Sequence, residues 1–147
     1  MSRTVQAPYV ARLVASAART ATGNSGAITL PTDLGGIMWL LSVTAASGTS
    51  PTLDLAIQVT DDDGTTWFTF AGFTQHSATG EKAFVTTHDN RGIAALAEWD
   101  TSDDTAPAVH NAPLSRKIRI VWTIGGTNPS FTFSIGIIGV RSNANVY

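Results

Sequence analysis

Trp39-Leu40-Leu41-Ser42-Val43-Thr44-Ala45-Ala46-Ser47-Gly48-Thr49-Ser50-Pro51-Thr52-Leu53-Asp54-Leu55-Ala56-Ile57 decides the fold, because the chain repeats its pattern at Lys117-Ile118-Arg119-Ile120-Val121-Trp122-Thr123-Ile124-Gly125-Gly126-Thr127-Asn128-Pro129-Ser130-Phe131-Thr132-Phe133-Ser134-Ile135. Each copy is an alternating run, a Gly-Thr-(Ser/Asn)-Pro segment and a second alternating run. In the second copy Ile118, Ile120, Trp122 and Ile124 share one face, and Phe131, Phe133 and Ile135 share another. A period of two belongs to strands with one buried face. Glycine permits positive φ and proline fixes φ where the next strand begins, so each copy reads as a β-hairpin. The expected strands of the first are Met38 to Ala45 and Thr52 to Thr60.

Outward from the repeat, turn signals divide the chain into eight or nine short strands. Gly23-Asn24-Ser25-Gly26 is a turn, Ala27 to Leu30 a short strand closed by Pro31, and Thr32 to Gly36 a loop. Strands are expected at Thr66 to Phe70, Lys82 to Thr87 and Gly92 to Trp99, with Gly72 to Gly80 as a loop or bulge. Asp100 to Leu114 carries three acids and two prolines and reads as a long surface loop. This spacing implies an all-β antiparallel sandwich of jelly-roll or immunoglobulin-like type. The expected organisation is an extended N-terminal arm over residues 1–14, a sandwich over 15–140 and a polar tail over 141–147.

Composition agrees. At 147 residues there is room for one core of ordinary size. Apolar residues make up 43% and charged residues 14%, and no cysteine is present, so no disulfide can form. A net charge of −2 gives no electrostatic reason to expect nucleic acid as a partner. The longest apolar runs, Ile37 to Leu41 and Ile135 to Val140, fall far short of the roughly 18 residues of a spanning helix, and no membrane association is expected. Arg3, Arg12 and Arg19 all precede the first acid, Asp33, whereas acids cluster at Asp61 to Asp63 and at Asp100, Asp103 and Asp104. A basic leading segment beside an acidic body suggests an arm that docks on another surface. The candidate partner contacts are therefore Arg3, Tyr9, Arg12 and Arg19 on the arm side, Asp100, Asp103 and Asp104 in the loop, and Tyr147 in the tail.

Motifs for chemistry are scarce. Thr60-Asp61-Asp62-Asp63-Gly64-Thr65-Thr66-Trp67 fits the Asp-box pattern Ser/Thr-x-Asp-x-Gly-x-Thr-Trp. That pattern is a structural turn in sialidase-type propellers, and a single copy in a short chain keeps the same role. Asp62, Gly64, Thr66 and Trp67 are its expected working residues. Asp61 and Asp63 begin a calcium-loop spacing that Gly64 and Thr65 do not complete. His76, His88 and His110 stand singly, as surface or loop histidines, with no metal-ligand spacing. There is no Gly-x-Ser-x-Gly elbow and no phosphate loop, and Glu81 and Glu98 do not by themselves make an acid–base pair. The chain is expected to be no enzyme and to need no metal or cofactor. Of the four tryptophans, Trp122 belongs to a core face. Trp39, Trp67 and Trp99 sit near strand ends and would stack on sugars only if exposed.

Ala15 to Gly23, Val43 to Asp54, Gly64-Thr65-Thr66-Trp67 and Gly126 to Phe133 resemble small β-rich proteins encoded among the virion structural genes of tailed bacteriophages. The resemblance spans Ala15 to Ile138, and the acidic insert Asp100 to Pro113 departs from it. It implies a non-enzymatic virion protein assembled in the bacterial host cytoplasm, foremost a capsid decoration (cement) protein. Its implied partners are the major capsid protein or other virion proteins, and further copies of itself in a homo-oligomer. A tail, neck or baseplate component and a carbohydrate- or receptor-binding module are the alternatives.

Overall fold

A computed structural model of the chain describes residues 7–87, 109–111 and 114–141. Its strands are β1 (Tyr9–Arg19), β2 (Gly23–Asn24), β3 (Ile28–Thr29), β4 (Leu34–Val59), β5 (Phe68–Gly72), β6 (Gly80–Thr87), β7 (Val109–Asn111) and β8 (Lys117–Arg141). No helix occurs among the described residues, and the sheet is open, in the order β1-β8-β4-β6-β7. Strands β2 and β3 lie against β8, and β5 lies against β4.

The two repeats form no hairpins. The runs within β4 pair instead with the runs of β8, antiparallel along almost their whole length, as in Trp39↔Ile137, Val43↔Phe133, Leu55↔Trp122 and Val59↔Ile118. The reason lies in the backbone of the Gly-Thr-x-Pro segments. A two-residue hairpin of the type I′ kind needs positive φ at two consecutive residues. Here positive φ falls on alternate residues, Gly48 (113°) and Ser50 (47°) in β4, Gly126 (108°) and Asn128 (48°) in β8. Such a sequence makes bulges, which bend a strand without reversing it. The two bulged segments face each other, with Thr49 opposite Thr127. They touch so closely that a Cβ on Gly48 would lie 2.8 Å from the Asn128 carbonyl oxygen, and one on Gly126 2.7 Å from that of Ser50.

The bend is large. Trp122 and Phe133 are eleven positions apart in one strand, about 36 Å if it ran straight. Their ring centroids are 5.6 Å apart at 71°, edge to face. The β4–β8 ribbon is thus folded back on itself at the bulges. Both halves turn one face inward: Ile37, Trp39, Leu41 and Val43 meet Leu53, Leu55 and Ile57, while Ile118, Ile120 and Trp122 meet Phe131, Phe133, Ile135 and Ile137, all in one core cluster. The Trp39 indole, fully buried, donates its Nε1–H to Thr86 Oγ1 at 2.8 Å, so the largest core side chain brings no unpaired donor with it.

The flanking strands extend each half. β1 pairs with the second half of β8, Tyr9 opposite Gly139 and Arg19 opposite Phe131. The expected arm over 1–14 is therefore sheet from Tyr9 onward, since alternating Val10, Arg12 and Val14 find a β8 edge to complete; residues 1–6 lie outside the described residues. β6 pairs antiparallel with the first half of β4, and β5 with the second. Two further corrections concern the acidic stretch. Val109–Asn111, expected in a surface loop, is a strand, and it runs parallel to β6, Val85 opposite Val109, so the sheet is not antiparallel throughout. The expected strand Gly92 to Trp99 and the tail 142–147 lie outside the described residues.

Alanine substitutions separate the contact from the dihedral. Gly26 has φ of 73° but open space around its Cβ position, so Gly26→Ala is expected to cost about 1 kcal/mol. Gly48→Ala and Gly126→Ala add backbone collisions and should each cost about 3 kcal/mol or more in urea unfolding. Equal costs at all three positions would contradict the paired bulge.

Candidate interaction face

The Asp-box residues close on one another. Asp62 Oδ1 accepts from Thr60 Oγ1 (2.9 Å), the Thr65 amide (3.0 Å) and the Thr66 amide (2.7 Å). Thr60 Oγ1 in turn accepts from the Gly64 amide at 2.9 Å, and Trp67 Nε1 donates to the Gly64 carbonyl at 3.1 Å. Hydrogen bonds from Thr66 are the main reason the Asp62 carboxyl falls to about 2. Lys117 Nζ meets Asp63 Oδ1 at 2.6 Å, and the Arg119 guanidinium lies 4.8 Å from the Trp67 ring centre. The carboxylate and ring are thus committed within the turn, and no cluster of three or more potential metal ligands occurs among the described residues.

Arg19, expected to contact a partner, is used inside the molecule. The register of β1 slips between Val14 and Ala17, which frees carbonyls. The Arg19 guanidinium fills that gap, donating to the carbonyls of Ala15 (3.0 Å), Ala17 (3.0 Å) and Phe133 (3.1 Å). It also lies 4.4 Å from the centre of the Phe133 ring and 4.9 Å from that of Trp122, touching both halves of the bent ribbon. Partial burial lowers its pKa, though a guanidinium remains cationic at neutral pH. Tyr9 is half-buried with Arg141 over its ring at 5.5 Å, and Arg141 pairs with Asp33 at 2.9 Å. Arg3, Asp100, Asp103, Asp104 and Tyr147 lie outside the described residues.

Sugar stacking would need free indoles. Trp39 is fully buried, Trp122 is buried, Trp67 is half-buried under Arg119, and Trp99 lies outside the described residues. His76, expected as a surface or loop histidine, lies in the loop between β5 and β6 and is buried. It forms an isolated bridge whose two backbone hydrogen bonds to Leu53, of 2.8 and 2.9 Å, pull it under the loop. Burial and then the charge of Lys82 depress its pKa. Its Nδ1 lies 3.3 Å from the Ala78 carbonyl oxygen, and its buried Nε2 has no hydrogen-bond partner among the described residues.

The feature that sequence reading missed is on the outside of the first ribbon half. Four of the five exposed large hydrophobic side chains among the described residues lie there: Val10 (68% exposed), Val140 (66%), Met38 (40%) and Ile138 (38%). The pairing registers set Val10, Ile138, Met38 and Val85 in one row across β1, β8, β4 and β6, and Arg12, Gly136, Leu40 and Ala83 in the next. Because Gly136 has no side chain and Ala83 a small one, the second row sinks into a groove of about 470 Å³, rimmed by Arg12 and Glu81. Contiguous exposed apolar surface with a polar rim marks an interaction site. The signal was present in the runs Ile37 to Leu41 and Ile135 to Val140, which are apolar on both faces, as strands covered on both sides are.

Neither a scan against models of protein families nor a search of curated proteins finds a match to this chain.

The Asp62 turn supplies a pH test. A carboxyl depressed from about 3.8 to about 2 means the unfolded chain binds the proton first, so the turn's contribution is complete above the ordinary carboxylate range and disappears as pH falls through about 2. NMR should place the Asp62 titration near pH 2, with the Thr65 and Thr66 amides following it. A midpoint at the ordinary value would break the assigned hydrogen bonds.

Proposed function

We propose that this chain is a non-enzymatic structural protein of a tailed-phage particle, a capsid decoration (cement) protein that binds the outer shell and stabilises it. The folded-back ribbon is read as a two-layer sandwich. The second half of β8 and first half of β4, with β1, β6 and β7, make one layer. The remaining halves, with β2, β3 and β5, make the other. The observation that carries the functional reading is the outer apolar face of the first layer. The largest apolar patch on a soluble protein is often its functional surface, and a protein whose task is adhesion needs such a surface. The resemblance of the turn and strand signatures to virion proteins supplies the class of partner, the major capsid protein foremost, and the virion as the site of action. Asp62 is committed to its turn and Arg19 to the carbonyls and rings beneath it, which supports the reading of a structural body.

Gold-labelled antibodies on intact particles test this directly. Label over the head, together with DNA loss at lower temperature from particles made without the protein, is the expected result. Label confined to the tail would make it a tail or neck component, and absence from purified particles would refute the virion role.

A further inference from the structure

We propose that the apolar outer face is an interface between two copies of this chain, packed sheet on sheet about a two-fold axis that runs parallel to the strands between β8 and β4. The inference rests on the reading of that face as an adhesive surface, and it names the occupant.

A face that binds its own copy must be self-complementary, because each patch meets itself turned through the axis. The pairing registers allow that test. The axis exchanges the β1 column with the β6 column and the β8 column with the β4 column. In the first row, Val10, Ile138, Met38 and Val85, Val10 then lies over Val85 of the second copy and Ile138 over its Met38. Every contact is apolar on apolar. In the second row, Arg12, Gly136, Leu40 and Ala83, Leu40 lies over Gly136, a side chain above a position that has none. The groove of each copy receives the leucine of the other. In the third row Ser42, which pairs with Ser134 and Glu81, lies over Ser134.

The charges complete the match. Arg12 falls over Ala83, and Glu81 stands two residues further along β6 on the same face, about 7 Å away. That distance is within reach of an arginine side chain. The axis makes the contact twice, so two Arg12–Glu81 pairs would close the two sides of the interface. Both residues are exposed, and neither is in an ion pair among the described residues. A different axis, perpendicular to the strands, would set β1 over β1 and β6 over β6, so that Arg12 and Glu81 would stand at opposite edges of the face and neither pair would form. Four strand spacings by six residues cover roughly 19 by 20 Å, about 400 Å² a side. That is at the small end for specific association, so the pair forms reversibly with concentration, as suits a component that becomes crowded on a lattice.

Sedimentation velocity of the full chain over a wide concentration range, with circular dichroism as the control for folding, tests the proposal. The wild type should move from monomer to dimer as concentration rises. Ile138→Lys should remain a folded monomer. Arg12→Glu and Glu81→Arg should each weaken association about tenfold, while an equal mixture of the two should regain it, because the mixed dimer makes both pairs again. A loss of packing alone would give no such rescue. A wild type that stays monomeric throughout, as it would if its own residues 88–108 covered the face, overturns the interface, and so does association of Ile138→Lys equal to wild type. Particle labelling is read separately: a monomer found on heads removes only this inference, and a dimer missing from particles removes only the virion role.

Discussion

The packing of Gly48 on Thr127–Pro129 and of Gly126 on Thr49–Pro51 is the constraint on which the rest depends. Two strands of 26 and 25 residues would make a flat ribbon far longer than any single core. With bulges at matching points in both, the ribbon turns back and one face of it becomes an interior. Only a residue without Cβ fits there. At each site a side chain would strike the opposing backbone, and φ near +110° is disfavoured for any other residue. Because each glycine packs on the other strand's Thr-x-Pro segment, neither bulge has its geometry without its partner. The repeat in the sequence is therefore a pair of complementary halves of one joint.

Once the ribbon is bent, its halves are tied by side chains that neither half supplies alone. Trp122 and Phe133 touch edge to face, and Arg19 spans both rings while closing the irregularity in β1. His76 and Leu53 pin the loop after β5 to β4. Lys82 holds the same loop from β6 through Thr74 and Gln75. Among the described residues, Arg19, Lys82 and Asp62 act as ties between strands, loops and turns. Apolar side chains in excess of the core's needs collect on one outer face. That division of labour suits a protein that holds and is held.

Much of this was legible in the chain. Alternation at Ile118, Ile120 and Trp122 and at Phe131, Phe133 and Ile135 gave strands and their inward faces, and the Asp62 turn followed from the residue types that build it. Pairing was not legible. Period two says which face is buried but not which strand lies alongside, and Gly-Thr-x-Pro suits a reversal and a bulge alike until φ is known at each residue. Arg19 looked like a free charge because the rings beneath it come from sequence more than a hundred positions away. The outer face was overlooked for a related reason. Met38, Leu40, Ile138 and Val140 lie in runs whose length was weighed against a membrane span, whereas their doubled apolar faces were the informative property.

The most direct test of the folded-back ribbon is a set of inter-proton contacts in solution by NMR. Nuclear Overhauser effects between the Trp122 indole and the Phe133 ring, together with cross-strand contacts between Leu55 and Trp122 and between Trp39 and Ile137, are the expected result. Contacts joining Met38–Ala45 to Thr52–Thr60 within one repeat, with none between the two rings, would contradict it and return the chain to two separate hairpins.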